Sequence, residues 1–176
     1  MARKARLRRR RSRSRGVVRG RVVWVASDPK RDWADAEVEL EVALAAELVT
    51  EHWEGIHKKS SVVAEPTLDA VAAAIQALDG RVYTMVSIVF KESSVIFIGG
   101  GGSNGLYVVT ATYDGEHFKI ATGDASSTGM VTMIVGGQEG DYPARHCVDF
   151  VTALRAARAF ASTGEMDSTV NWEDDQ

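Results

Sequence analysis

A succession of β-prone runs with little chain between them limits this protein more than any other feature. Arg81 to Phe90, Ser94 to Ile98, Leu106 to Tyr113, His117 to Thr122 and Met130 to Val135 are rich in Val, Ile, Tyr and Thr and are separated by Gly, Asn, Asp and Ser. A parallel crossover needs roughly a dozen residues or more, so connections this short require antiparallel neighbours. Asp114-Gly115 is itself a favoured two-residue hairpin turn.

Helical patterns bracket the meander. In Pro66 to Gly80, Thr67 can cap the first turn and Asp69 favours its positive end. Leu68, Val71, Ile75 and Leu78 share a face, and Gly80 closes the helix. From His146 to Ser162 the residues Val148, Val151, Leu154 and Ala157 or Arg158 recur at threes and fours, with Gly164 as the stop. Upstream, Val22 to Val25 reads as a short strand. Val38, Leu40 and Val42 alternate with Glu37, Glu39 and Glu41, and Ala43 to Val49 is rich in helix formers, predicting a helix that ends near Trp53 with Gly55 as its stop. The expectation is an α+β fold: an antiparallel meander of about five strands with helices packed mainly on one face.

Within the meander, Gly100 to Gly105 reads GGGSNG, a literal G-x-G-x-x-G. The dinucleotide fingerprint needs a helix after its glycines to receive the pyrophosphate. Here Leu106-Tyr-Val-Val-Thr-Ala-Thr-Tyr113 follows, alternating and β-branched, and no Lys-Ser/Thr completes a P-loop. The glycines therefore read as a hairpin connection, or a place where another backbone comes close. A nucleotide-binding enzyme using this loop is the weakest of the function classes. His52 and His57 are spaced wrongly for metal ligands on one helix face, Ser126-Ser127-Thr128-Gly129 has no base beside it, and no catalytic set, cofactor site or metal site emerges.

Charge divides the chain sharply. Met1 to Arg21 holds 11 of the 21 Lys and Arg and none of the 24 Asp and Glu, which leaves 10 basic against 24 acidic residues, a charge of −14, from Val22 to Gln176. Residues 1–21 read as a disordered basic tail, dispensable or translated from an upstream start, and 22–176 as one α+β domain. The tail offers an alternative function, nonspecific nucleic-acid binding. The acidic body suits a basic protein partner. No apolar run approaches the roughly 20 residues of a membrane span, and no secretory apolar segment is seen. The single cysteine, Cys147, permits no internal disulfide and reads as a small core residue on a helix, so the chain is expected to be cytoplasmic.

The order of these pieces resembles the first family of immunity proteins of bacterial polymorphic toxin systems, a group commonly encoded beside nucleic-acid deaminase toxins. The likeness runs from Leu68 to Glu173. It is carried by the helix ending Leu78-Asp79-Gly80, the strand Tyr83 to Ile88, the run Phe97-Ile-Gly-Gly-Gly101 with Tyr107, and Gly136-Gly137 leading to Tyr142-Pro143. The helix Val151 to Phe160 with Gly164 and the closing Trp172-Glu173 complete it.

The resemblance implies a non-enzymatic protein that binds a cognate toxin and covers its active site, with no small-molecule substrate and no membrane partner. A deaminase must take its target base into a zinc pocket, so covering that mouth is sufficient. Candidate contacts are Trp172 and Glu173, Ser103 and Asn104 at the glycine tip, and Glu139 and Asp141. Trp172 also has a structural reading, as a side chain that folds back over the sheet and pins the C-terminus.

Overall fold

A computed structural model of the chain describes residues 44–91 and 93–175. The sequence readings for the basic tail, for Val22 to Val25 and for the alternation of Val38, Leu40 and Val42 lie outside those residues.

The architecture is α+β, with a larger sheet than the sequence suggests. Eight strands form one antiparallel sheet: β1 (Glu47–Glu54), β2 (His57–Ala64), β3 (Tyr83–Lys91), β4 (Ser94–Gly100), β5 (Leu106–Thr112), β6 (Phe118–Thr122), the two-residue β9 (Val148–Asp149) and β10 (Asn171–Asp175). Their order is β10-β6-β5-β4-β3-β1-β2, with β9 pairing β5. A separate ribbon of β7 (Met130–Val135) and β8 (Gln138–Pro143) makes a two-stranded sheet. The helices are α1 (Leu68–Gln76) and α2 (Phe150–Thr163).

The central strands bury Val86, Ile88, Ile96, Ile98, Val109 and Ala111 on one face, the period-2 signature of a half-covered sheet. α1 lays Val71 and Ile75 onto that face, with Leu78 just beyond, and Thr67 caps it as expected: the Ala70 N–H donates to Thr67 Oγ1 at 3.1 Å. Each such side chain contributes about 1.5–3 kcal/mol on burial. α2 is capped by Asp149 and closed by Gly164 in the left-handed conformation. Its buried side chains are Ala153, Ala156, Ala157, Phe160 and Ala161. Small residues there let the helix sit close to the sheet.

Four local expectations are corrected. Residues 47–54 form β1 rather than a helix, because pairing with both β2 and β3 satisfies their backbone and Leu48 enters the core, outweighing the helix preference of the Ala-rich lead. Gly55 is then the hairpin turn (φ 63°), not a helix stop. His146 to Asp149 is a 3-10 turn and a short strand, so Val148 is a sheet residue while Val151 points to solvent at 60% exposure. Cys147 is buried as expected but lies at the end of that turn, and burial pushes its thiol pKa up. The Asp114-Gly115 turn is wider than two residues. The Asp114 carboxylate accepts the Glu116 and His117 N–H groups and pairs with the His117 ring, so His117 precedes β6.

The meander of about five strands becomes ten because β2, β8, β9 and β10 carry weak β signals, being polar or very short, and β1 a helical one. They exist by pairing with stronger neighbours.

Candidate functional site

One end of the sheet gathers the turns that the sequence singled out. There β1 turns into β2, β3 begins, and β4 passes to β5 through Gly101 to Gly105. The glycine run is a hairpin connection: Gly102–Asn104 forms a 3-10 turn, β5 follows directly, and the Asn104 side chain accepts the Leu106 N–H at 3.2 Å. Its second expected property also holds. Gly101 bridges Asp79, and the Gly102 N–H donates to the Leu78 carbonyl, so the loop lies against the end of α1. A Cβ on Gly101 would overlap that carbonyl, and its φ of 78° already favours glycine. Ser103 and Asn104 are exposed at the tip.

The segment the loop packs on is organised by Asp79. Its Oδ1 accepts the N–H groups of Arg81, Val82 and Tyr83 at 2.8, 2.8 and 2.9 Å. Burial alone would raise its pKa, but these donors outweigh it and hold the carboxyl below the ordinary carboxylate range.

The other candidates sit elsewhere. Trp172 and Glu173 are adjacent on the edge strand β10 and therefore point to opposite faces. Trp172 opposes Ala121 on the helix side, packs against the main core and donates its indole N–H to the Asp167 carbonyl at 3.1 Å. That is the fold-back arrangement. Glu173 opposes Ile120 on the other side. Its Oε2 is 3.0 Å from Arg145 Nη1 and 3.2 Å from His146 Nε2, tying the turn before β9 to the edge strand.

Glu139 and Asp141 lie on β8. Val131, Met133 and Val135 of β7 turn toward the sheet, packing with Val108, Ile120, Cys147 and Tyr142 in a second, smaller core. Glu139 and Asp141 pair across to Ile134 and Thr132, so they occupy the ribbon's outer face. Asp141 accepts a bond from Thr132 Oγ1 at 2.6 Å.

The ribbon is clamped at its tip. The Gly137 N–H donates to Thr84 Oγ1 at 2.9 Å and the glycine sits on the Trp53 ring, leaving the indole N–H buried with no partner among the described residues. Trp53 was not among the sequence candidates. The sequence places Trp53 only at the end of an expected helix, which says nothing about a turn glycine far along the chain.

The six candidates thus do not form one cluster, and among the described residues no group of three or more His, Cys, Asp or Glu is arranged to hold a metal. No described helix is long and apolar enough to cross a membrane.

Comparison with curated proteins and with solved structures finds no match. A family model does match, described as Immunity protein Imm1, over residues 57–174. That span takes in every sheet strand except β1, both helices and the β7–β8 ribbon, and it covers most of the chain. An immunity protein of this kind has a toxin as its partner and is generally a non-enzymatic inhibitor, in keeping with a glycine loop spent on packing rather than on a phosphate. The chain belongs to the Imm1 family of immunity proteins.

Proposed function

We propose that this protein neutralises a toxin that acts on nucleic acid, most simply a deaminase, by covering its active site in the cytoplasm of the producing cell. The observation that carries this reading is the charge of the body, −14 from Val22 to Gln176. A toxin that handles nucleic acid needs positive surface to hold phosphates. An acidic inhibitor competes for that surface, steers encounter and adds a large area that excludes the substrate. Inhibition of this sort requires no turnover and no cofactor. Glu139 and Asp141, exposed on the ribbon, are proposed contacts, as are Ser103 and Asn104 at the glycine tip. Glu173 contributes through the Arg145–His146 cluster, and Trp172 supports β10 from behind.

The test is to express the C-terminal domain of the toxin-like reading frame adjacent to this gene, alone and with this chain, and to measure deamination of single-stranded and duplex substrates. The reading predicts loss of activity at one equivalent of inhibitor and a stable complex. Binding without loss of activity would exclude active-site coverage; a partner toxin whose substrate is not nucleic acid would exclude the charge argument. Loss of inhibition on deleting Met1 to Arg21 would move the role to the basic tract.

A further inference from the structure

The large sheet ends in two unlike edges. β10 has five residues, three of them the carboxylates Glu173, Asp174 and Asp175, the short and charged form that keeps an edge from pairing. β2 has eight residues and lies along β1 without a bulge, from His57 opposite Glu54 to Ala64 opposite Glu47. It contains no Pro, Gly, Asp or Glu, and all eight residues are exposed, including Val62 at 60% and Val63 at 47%. Its other side pairs with no strand among the described residues. A long, flat edge of this kind is a template for a further strand.

Lysines commonly guard such an edge, and β2 has two. Both are engaged by β1: Lys58 Nζ lies 2.9 Å from Glu51 Oε1, and Lys59 is paired with Glu54. The edge therefore carries compensated cations and no carboxylate. On a body of charge −14 it is a line along which two molecules meet without setting carboxylate against carboxylate.

Length, direction and charge together choose the occupant. Val22 to Val25 is β-prone, but the run breaks at Ser27-Asp-Pro29 and proline donates no ladder bond, so residues 22–34 would cover about half of the edge. Residues 35–42 alternate and carry Glu37, Glu39 and Glu41 for the lysines. They run straight into Leu44, whose N–H donates to the Pro66 carbonyl at 3.1 Å just past the C-terminal end of β2. Laid along β2 they would be parallel to it, and a parallel neighbour needs a crossover of roughly a dozen residues where Ala43 alone is available. A toxin strand would come from a surface that the charge argument makes basic, and β2 shows it lysines without a free carboxylate. A second copy brings a strand of equal length with its own lysines already compensated.

We propose that β2 pairs with β2 of a second copy, antiparallel across a two-fold axis normal to the sheet. Opposed residues of antiparallel strands share a face, so the axis passes through a residue rather than between two. An axis at Ser61 overlaps residues 58–64 and sets Lys58, Lys59 and Ser60 opposite Ala64, Val63 and Val62 of the second copy. An axis at Ser60 overlaps residues 57–63 and sets His57, Lys58 and Lys59 opposite Val63, Val62 and Ser61. In both registers no lysine opposes a lysine, and a lysine stem lies along an exposed valine. The helices of the two copies then lie on one side of a continuous sheet. The pairing uses none of the residues proposed to meet the toxin and stands apart from that reading.

Sedimentation of the full-length protein over a range of concentrations, with hydrogen exchange of the β2 amides, tests this. The expected result is a concentration-dependent dimer in which those amides gain protection. With the native Cys147 buried, Ser60→Cys or Ser61→Cys, according to register, should form a disulfide-linked dimer about tenfold faster on oxidation than Val151→Cys on the outside of α2. Val62→Lys combined with Val63→Lys sets lysine against Lys58 or Lys59 of the second copy in either register and should weaken the dimer by about tenfold or more. Both positions are exposed, so that variant should melt within a few degrees of the parent in dilute solution. A monomer at every concentration, with β2 amides exchanging freely, overturns the proposal. A monomer with protected β2 amides overturns it in favour of residues 22–43 as the occupant, and protection that appears only with added toxin overturns it in favour of a toxin strand. A dimer that neither cysteine links and the lysines leave intact overturns it in favour of another interface.

Discussion

Trp172 shows how much one side chain's direction decides. Its position in a polar tail made an interface anchor and a structural pin equally readable, and the alternation of β10 sends it toward the core. Truncating a large, partly buried aromatic that also loses a hydrogen bond costs about 2–4 kcal/mol. Trp172→Ala is therefore expected to lower the melting temperature by roughly 5–15 °C. Toxin affinity, measured below that temperature, should be little changed; an unshifted melting curve with lost affinity would show the indole to be a contact. Asp79 is a second case, in which one carboxylate serves three N–H groups. Its pKa in the fold lies below the unfolded value, so its contribution is fully present above about pH 4 and is lost as pH falls through the folded value. Asp79 is exposed, so screening reduces the effect, and Asp79→Ala should cost about 1 kcal/mol at pH 7. Denaturant titrations of the two proteins should converge as pH is lowered from 5 to 2, using the pH range over which ordinary carboxylates titrate. A constant gap would place the cost elsewhere.

Among the elements, the β7–β8 ribbon is the one whose existence was half legible. Met130 to Val135 has the composition of a strand, whereas Gln138 to Pro143 does not; Gly136-Gly137 supplies the φ values of 59° and 78° that a tight turn between them requires. The tip is fixed by Trp53 and Thr84, residues remote in sequence. A methyl group on Gly137 would strike the Trp53 ring, so Gly137→Ala should release the tip at a cost of about 2 kcal/mol, from backbone strain and overpacking together. Hydrogen exchange should then accelerate across β7 and β8 while β3 to β5 keep their protection. Loss of protection throughout the sheet would mean that the ribbon is part of the folding unit rather than a clasp laid on it. The glycine hairpin makes a different prediction. Because its backbone is spent on Leu78 and Asp79, millimolar NAD or ATP should leave the melting temperature unchanged, whereas a genuine nucleotide site would raise it.

On the scale of the whole molecule, net charge is the property a partner senses first. Association of the acidic body with a basic toxin should slow by about tenfold or more between 0.02 and 0.5 M salt, with dissociation changing far less. Stopped-flow measurement of both rates checks this, and a salt-independent association rate would mean that the body's charge serves solubility only.

The amino-acid sequence by itself determined the α+β class, the antiparallel order of β3 to β6, the capped first helix, the hairpin role of GGGSNG and the split of charge. Each of these rests on local causes: side-chain period, turn stereochemistry and composition. Tertiary structure alone decided that residues 47–54 become a central strand, that His57 to Ala64 and Asn171 to Asp175 close the two edges, and that Val151 faces solvent while Ala153 and Phe160 face the core. It also decided which side of the sheet α1 and α2 cover. These outcomes depend on which partner a segment meets, and backbone pairing with a neighbour far along the chain outweighs a propensity difference of a few tenths of a kcal/mol per residue. A contact between Trp53 and Gly137 has no local trace to read.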